Sequence, residues 1–312
     1  LGNGFSKDAI FVLRTAINAA YVAIWARQRW MGKKTGFIRI KPDNTYATLG
    51  DDLVTHYLVG KLSRRFNFFC IAEEYPGEKF ENIWATEINY DRFFSVEVGA
   101  VLDGIDGTLF YILNSGKPFN FSIWFGLARR GKPWCSIFVE VGPDLKGILE
   151  VAIAEAGRGA WLYKPGLPWK RLRAAPWDDG RAPNVTHGLP FRDVRFDPLT
   201  DYLSGPAFQW KLPKVREIIP IGRAVIDIIT GKDQLFLHAL LPPHDWYPAC
   251  LFIKEAGYCQ NWYRIGSNGV PYFLEDSPGQ PDYSPASRLC LNIGVREFVK
   301  IAKNFLLKKI FR

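Results

Sequence analysis

Apolar residues recur at helical spacing from Ser6 to about Trp30 (Ile10, Leu13, Ile17, Ala20, Tyr21, Ile24), which predicts a long amphipathic helix packed on a first domain. Ser6-Lys7-Asp8 reads as its cap and first turn. A second helix is expected from Asp51 to about Phe66, with Leu53, Tyr57, Leu58 and Leu62 turned inward. The period then changes. Phe68-Phe69-Cys70-Ile71-Ala72 is a continuous apolar run of strand length that stops at Glu73-Glu74. The same arrangement returns from Val96 to Leu102, a run that ends at Asp103-Gly104-Ile105-Asp106-Gly107-Thr108. Strands are also expected near Phe119 to Ala128, Cys135 to Val141 and Ile148 to Ala154, so this half reads as helices on a largely antiparallel sheet.

Between Tyr163 and Gln209 the chain is rich in Pro, Gly, Trp and Arg and loses its periodicity. A boundary near Asn184 is therefore expected, separating an N-terminal α+β domain (residues 1–183) from a C-terminal α/β domain (residues 184–312). Beyond it, elements over Val225 to Thr230 and Gln234 to Leu240, a helix over Tyr247 to Ala256, a strand over Ser287 to Asn292 and a last helix from Val295 alternate as in an α/β unit.

Composition narrows the function classes. With 48% apolar and 23% charged residues, the 312-residue chain is of the globular type and long enough for two packed subdomains. A net charge of +9 favours anionic partners. The basic clusters, Lys170 to Arg173 and Lys308 to Arg312, are too short for the stripe of a nucleic-acid polymer binder. Five scattered cysteines without a CxxC pair read as reduced thiols of a cytoplasmic protein, not as a disulfide framework or a zinc site. The absence of eighteen consecutive apolar residues leads us to expect no membrane span.

Three acidic segments carry candidate chemistry. In Asp103 to Thr108, two carboxylates three residues apart on a tight turn can converge on hard divalent cations, with the Ile105 carbonyl pointing the same way. Gly107 and Thr108 offer backbone N–H groups for a phosphate where a helix begins; taken alone, the segment equally fits a pair of Asp-Gly turns. Glu73-Glu74 places two acids at a strand mouth, where a cation would relieve their repulsion. Asp245, after His244, sits at a helix start, where a carboxylate also serves as an ordinary N-cap. The four histidines (His56, His187, His238, His244) lack metal-ligand spacing and read as surface or packing residues, His244 being set apart by its neighbour Asp245.

Taken together, Ala72-Glu73-Glu74, Asp103 to Thr108, and His244-Asp245 running to Glu255-Ala256-Gly257 resemble the inositol-monophosphatase superfamily. Supporting likeness extends to Ala47 to Asp51, Pro118 to Leu127, Gly157 to Trp161 and Gly222-Arg223-Ala224. The resemblance implies an α+β or α/β layered αβαβα sandwich and a phosphatase acting on a small phosphorylated substrate, a sugar, cyclitol or nucleotide phosphate. It further implies that Glu73, Asp103, Asp106, Asp245 and the Ile105 carbonyl hold two or three Mg²⁺ ions. Thr108 with Glu73 would orient the attacking water, and Asp51 would assist through the more weakly held ion. A homodimer and lithium sensitivity are also implied, with no nucleic-acid polymer and no membrane as partner. Several positions depart from the family pattern: Gly104 replaces a Pro and would add backbone freedom, Leu109-Phe110 replace polar residues, and His244 replaces a Trp. Arg223 replaces a small residue, which suits it either to fork onto a second anion or to lie on the surface. His238 stands seven residues before Asp245, where an acid that reads a sugar hydroxyl is usual. The alternatives are a bisphosphate nucleotidase and a non-catalytic anion-binding protein on the same fold.

Overall fold

The structure is a computed structural model, and it describes residues 4–31, 37–41, 46–73, 80–82, 90–113, 120–142, 145–174, 184–187, 214–216, 220–233, 235–241, 243–265, 271–274 and 289–294. The N-terminal stretch forms α1 (Lys7–Trp30), β1 (Ile38–Ile40), β2 (Tyr46–Thr48), α2 (Leu49–Leu62), β3 (Phe68–Ala72), β4 (Phe80–Asn82), α3 (Tyr90–Ser95), β5 (Val98–Asp106) and α4 (Thr108–Leu113). There follow β6 (Ser122–Arg129), β7 (Lys132–Val141), β8 (Ile148–Glu155), β9 (Gly159–Tyr163) and β10 (Lys170–Leu172). The remainder forms β11 (Asn184–His187), β12 (Lys214–Arg216), α5 (Ile221–Ile229), β13 (Leu235–Leu241), α6 (Pro243–Ala256), β14 (Cys259–Ile265), β15 (Pro271–Leu274) and β16 (Leu289–Gly294).

An eight-stranded sheet in the order β10-β9-β8-β7-β6-β5-β3-β4 carries one hydrophobic cluster on each face. In β3, Phe68, Cys70 and Ala72 enter the cluster under α1 and α2, while Phe69 and Ile71 enter the one under α5 and α6. This two-sided burial explains why β3 reads as an uninterrupted apolar run: alternate side chains leave opposite faces, and both faces are covered. The sheet is antiparallel from β10 to β5 and parallel at β5-β3-β4, so the expectation of a largely antiparallel sheet holds away from the edge that bears the acids.

Helices α5 and α6 lie against the first sheet and also touch a six-stranded sheet of order β12-β11-β13-β16-β14-β15. The described layers are thus helices, sheet, helices, sheet, as in a layered α+β sandwich. The helix expected from Val295 lies outside the described residues. The element expected over Val225 to Thr230 is the body of α5, which starts behind Pro220 and buries eight of its nine residues.

Helix α1 begins as expected: the Ala9 N–H donates to Ser6 Oγ, and Asp8 pairs with Arg65 and Arg129. By length and composition α1 is nevertheless apolar enough to cross a membrane, with a mean hydropathy of 1.6 over its best 18-residue window, a property that a count of consecutive apolar residues does not register. Here 56% of that window is buried, packed on α2 and on β6 to β8. Its buried Arg27 donates to the carbonyls of Tyr111 and Ile112, and the Tyr111 hydroxyl donates to the Ala23 carbonyl, so α1 anchors the short helix α4 at the edge of the acidic site.

Candidate metal centre

The acids at the strand ends converge because β5 is irregular where it reaches them. Its register with β6 shifts between Asp103 and Asp106, and the extra length turns the strand so that two carboxylates three residues apart serve one site. The turn is held locally, with the Ile105 N–H donating to Asp103 Oδ1 at 3.0 Å. Gly104 contributes space and not the backbone freedom expected of it. A Cβ there would meet Thr55 Oγ1 at 2.7 Å and the Asp51 carbonyl at 3.1 Å, so its bare backbone lets α2 approach the strand. Gly107 is different: at φ +88° it adopts the left-handed conformation that starts α4 at Thr108, as the sequence suggested.

Asp51 enters from the first turn of α2 through a capping box. The Thr48 N–H and hydroxyl donate to its Oδ2 at 2.7 and 2.5 Å, and Thr48 Oγ1 accepts from the Gly50 and Asp51 N–H groups. The other oxygen of Asp51 lies 3.3 Å from Thr108 Oγ1, which also reaches the Ile105 carbonyl at 3.0 Å. Asp106 accepts from the N–H groups of Ile221 (3.0 Å) and Gly222 (2.7 Å) at the start of α5, and from Ser122 Oγ (3.0 Å). Asp245 lies within the first turn of α6, and its carbonyl accepts from Trp124 Nε1 at 3.0 Å, which pins the helix start to β6. Glu73 follows β3, where Lys41 Nζ reaches its Oε1.

Burial and mutual repulsion strain the ionised forms of these groups. Burial pushes Asp51 up to about 6 against the hydrogen bonds from Thr48, and Asp106 up to about 6 against those from Gly222, Ser122 and Ile221. Asp103 is raised well above the carboxylate range by burial, then by the charges of Glu73, Asp106, Asp245 and Asp51. Asp245 is raised well above it too, by burial and then by Asp106 and Glu73. Such a concentration of buried acid fits a divalent cation, whose charge would relieve the same repulsion.

Sequence reasoning passed over two residues here. His244 is neither a surface group nor plain core packing: it is 4% exposed, with Nε2 3.5 Å from Glu73 Oε2 and 3.7 Å from Asp245 Oδ1. Glu73, Asp103 and His244 each present a ligand atom, all within 4.8 Å of one another. Adjacency to Asp245 was the signal for His244. Lys41 left none, since nothing in its local sequence ties it to Glu73.

The structure therefore brings Asp51, Glu73, Asp103, Ile105, Asp106, Gly107, Thr108 and Asp245 together. Arg223 stands elsewhere. Its guanidinium contacts Glu140 (3.0 Å), Glu150 and Asp227 (2.6 Å), so the fork expected to take a second anion is already spent on carboxylates of β7, β8 and its own helix. His238 is on β13, paired with Leu291, and its side chain lies outside the described residues, as does Glu74. Glu255, in the segment resembling the family's Glu-Ala-Gly, plays a structural part. It accepts from the N–H groups of Gly157 and Gly159, both at 2.9 Å, tying α6 to the turn between β8 and β9.

This architecture, a layered sandwich with carboxylates gathered at the ends of β3 and β5 and the start of α6, has the fold of the inositol-monophosphatase type. Among solved structures, the extragenic suppressor protein SuhB from Bartonella henselae superposes with a TM-score of 0.67 at 17% identity, covering 97% of this chain and 99% of its own. An IMPase from Thermotoga maritima gives 0.64 at 17% identity, covering 98% and 100%. CysQ from Bacteroides thetaiotaomicron, described as a bacterial member of the inositol monophosphatase family, gives 0.58 at 16% identity, covering 94% and 98%. A scan against protein-family models finds no match, and a search of curated proteins finds none either.

Proposed function

We propose that this chain is a metal-dependent phosphatase of the inositol-monophosphatase superfamily, hydrolysing a small phosphate monoester of a sugar, cyclitol or nucleotide. The observation that carries the proposal is the convergence of Asp51, Glu73, Asp103, Asp106 and Asp245, from four separate stretches of chain, on one buried site. Divalent cations held by Glu73, Asp103, Asp106, Asp245 and the Ile105 carbonyl would supply Lewis-acid chemistry, acidifying water and neutralising the charge on the phosphoryl group.

The chain's own residues do the positioning. Thr108 Oγ1 has the Asp51 carboxylate and the Ile105 carbonyl as acceptors for its proton, which leaves its oxygen lone pairs to receive a water. Asp51, held by Thr48 and 3.3 Å from Thr108 Oγ1, is placed to take a proton from that water. A new P–O bond forms to the water oxygen as the ester P–O bond breaks on the opposite side of phosphorus, and the departing alkoxide takes a proton from solvent to leave as the alcohol. The N–H groups of Gly107 and Thr108 face the phosphoryl oxygens in this scheme. Arg223, engaged by three carboxylates, adds no support for a bisphosphate substrate.

Phosphate release from an inositol phosphate, a fructose bisphosphate and an adenosine bisphosphate, each with Mg²⁺, with Mn²⁺ and in chelator, tests the proposal. Metal-dependent release from at least one is expected. Metal-independent release would contradict the metal-dependent mechanism, and anion binding unchanged in chelator without release from any phosphate monoester would favour the non-catalytic reading.

A further inference from the structure

One ring nitrogen lies beside the carboxylates of the proposed centre. His244, in the first turn of α6, directs Nε2 between Glu73 Oε2 at 3.5 Å and Asp245 Oδ1 at 3.7 Å, and its side chain is 5% exposed. Both distances exceed the N–H···O range of about 2.7–3.2 Å, so neither contact is a good hydrogen bond. They match a different geometry. Two donor atoms each about 2.1 Å from one ion lie about 3.0 Å apart at right angles and about 4.2 Å apart when opposite. Glu73, Asp103 and His244 approach that spacing as a set, with His244 Nε2 3.5 Å from Glu73 Oε2 and all three ligand atoms mutually within 4.8 Å.

We infer that His244 Nε2 is a direct ligand of the cation bound beside Glu73, giving this centre a mixed nitrogen and oxygen donor set and a preference for Mn²⁺ or another first-row transition ion over Mg²⁺. The inference rests on the phosphatase reading, because it concerns the ion of that same site. Its chemical basis is donor character. Mg²⁺ dehydrates reluctantly and favours carboxylate and water, whereas an imidazole nitrogen suits the first-row transition ions, rising in affinity from manganese towards copper and zinc. A carboxylate on either side of the ring keeps the site anionic, so the nitrogen alters selectivity without removing the attraction for a dication.

The test uses untagged full-length protein freed of metal and titrated with Mn²⁺. Free ion is followed by electron paramagnetic resonance, and the bound ion is probed for nitrogen hyperfine coupling by electron spin echo modulation. We expect one nitrogen coupled to bound Mn²⁺, its pattern altered by ¹⁵N-histidine labelling. In His244→Gln the coupling should disappear, and the preference for Mn²⁺ over Mg²⁺ should fall about tenfold or more, while His56→Gln keeps both. Circular dichroism checks that the variant folds; should it not, the labelled wild-type protein alone decides whether a histidine is bound. Tight Mn²⁺ binding without nitrogen coupling, or coupling that persists in a folded His244→Gln protein, would overturn the inference and leave the phosphatase reading standing. No binding of any divalent ion by the wild-type protein would overturn both.

Discussion

Among the described residues, two clusters of buried acid lie on this fold, and they differ in how their charge is met. Around α5, Glu140, Glu150 and Asp227 are met by Arg223, with Lys164 on Glu150 and Lys232 on Asp227: three acids and three bases. Burial draws the Arg223 pKa down, but Glu140, Asp227 and Glu150 more than offset this and hold it above the usual arginine value. At the ends of β3 and β5, Asp51, Glu73, Asp103, Asp106 and Asp245 gather with Lys41 on Glu73. The first cluster is closed and structural. The second keeps an excess of negative charge at a cost in folding free energy, as expected where an outside cation belongs.

Substitution should separate the two. Asp103→Asn is expected to lower kcat/KM for the best phosphate substrate by about a thousandfold or more, since it removes a donor where charge must be neutralised. The same change should raise the thermal midpoint of the metal-free protein, because it relieves repulsion among the remaining carboxylates; a melt in chelator measures this. Arg223→Met should act in reverse, leaving three carboxylates without their guanidinium and destabilising the fold by about 3–5 kcal/mol in denaturant titration, with cation affinity per folded molecule little changed.

The effect of pH sharpens the contrast. Asp51 and Asp106 are raised from 3.8 to about 6 in the folded protein, so between these values the native state holds more protons than the unfolded one. Metal-free stability from these two groups is therefore largest below about pH 4 and declines as pH rises through 6. Cation affinity runs the other way, falling from pH 7 to pH 5 as protons compete for the carboxylates. Chemical denaturation and calorimetric titration at both pH values would show the crossing trends. The smallest effect is expected at the helix cap: Thr48→Ala should cost about 1 kcal/mol of stability and weaken turnover by loosening Asp51.

Much of the acidic site was legible because its carboxylates sit where local patterns end. Phe68 to Ala72 and Val98 to Leu102 are buried on both faces, so their apolar runs stand out and the acids after them mark the strand ends. The other cluster could not be read in that way. Arg223 meets Glu140 and Glu150 across 83 and 73 residues of chain, and only the stacking of α5 on the first sheet joins them. The same holds for Lys41 and Glu73, and for the approach of His244 to Glu73 across the fold; no short spacing records contacts made by tertiary folding. α5 itself was located only in part, because its start is set by Pro220 and by the two N–H groups that bind Asp106.

Calorimetric titration of divalent cation into metal-free protein, wild type beside Asp103→Asn, tests the central claim most directly. Saturable binding by the wild type, lost or weakened at least about a hundredfold in a folded variant, is the expected result. A wild-type protein that takes up no cation, or two proteins that bind it equally well, would contradict the account.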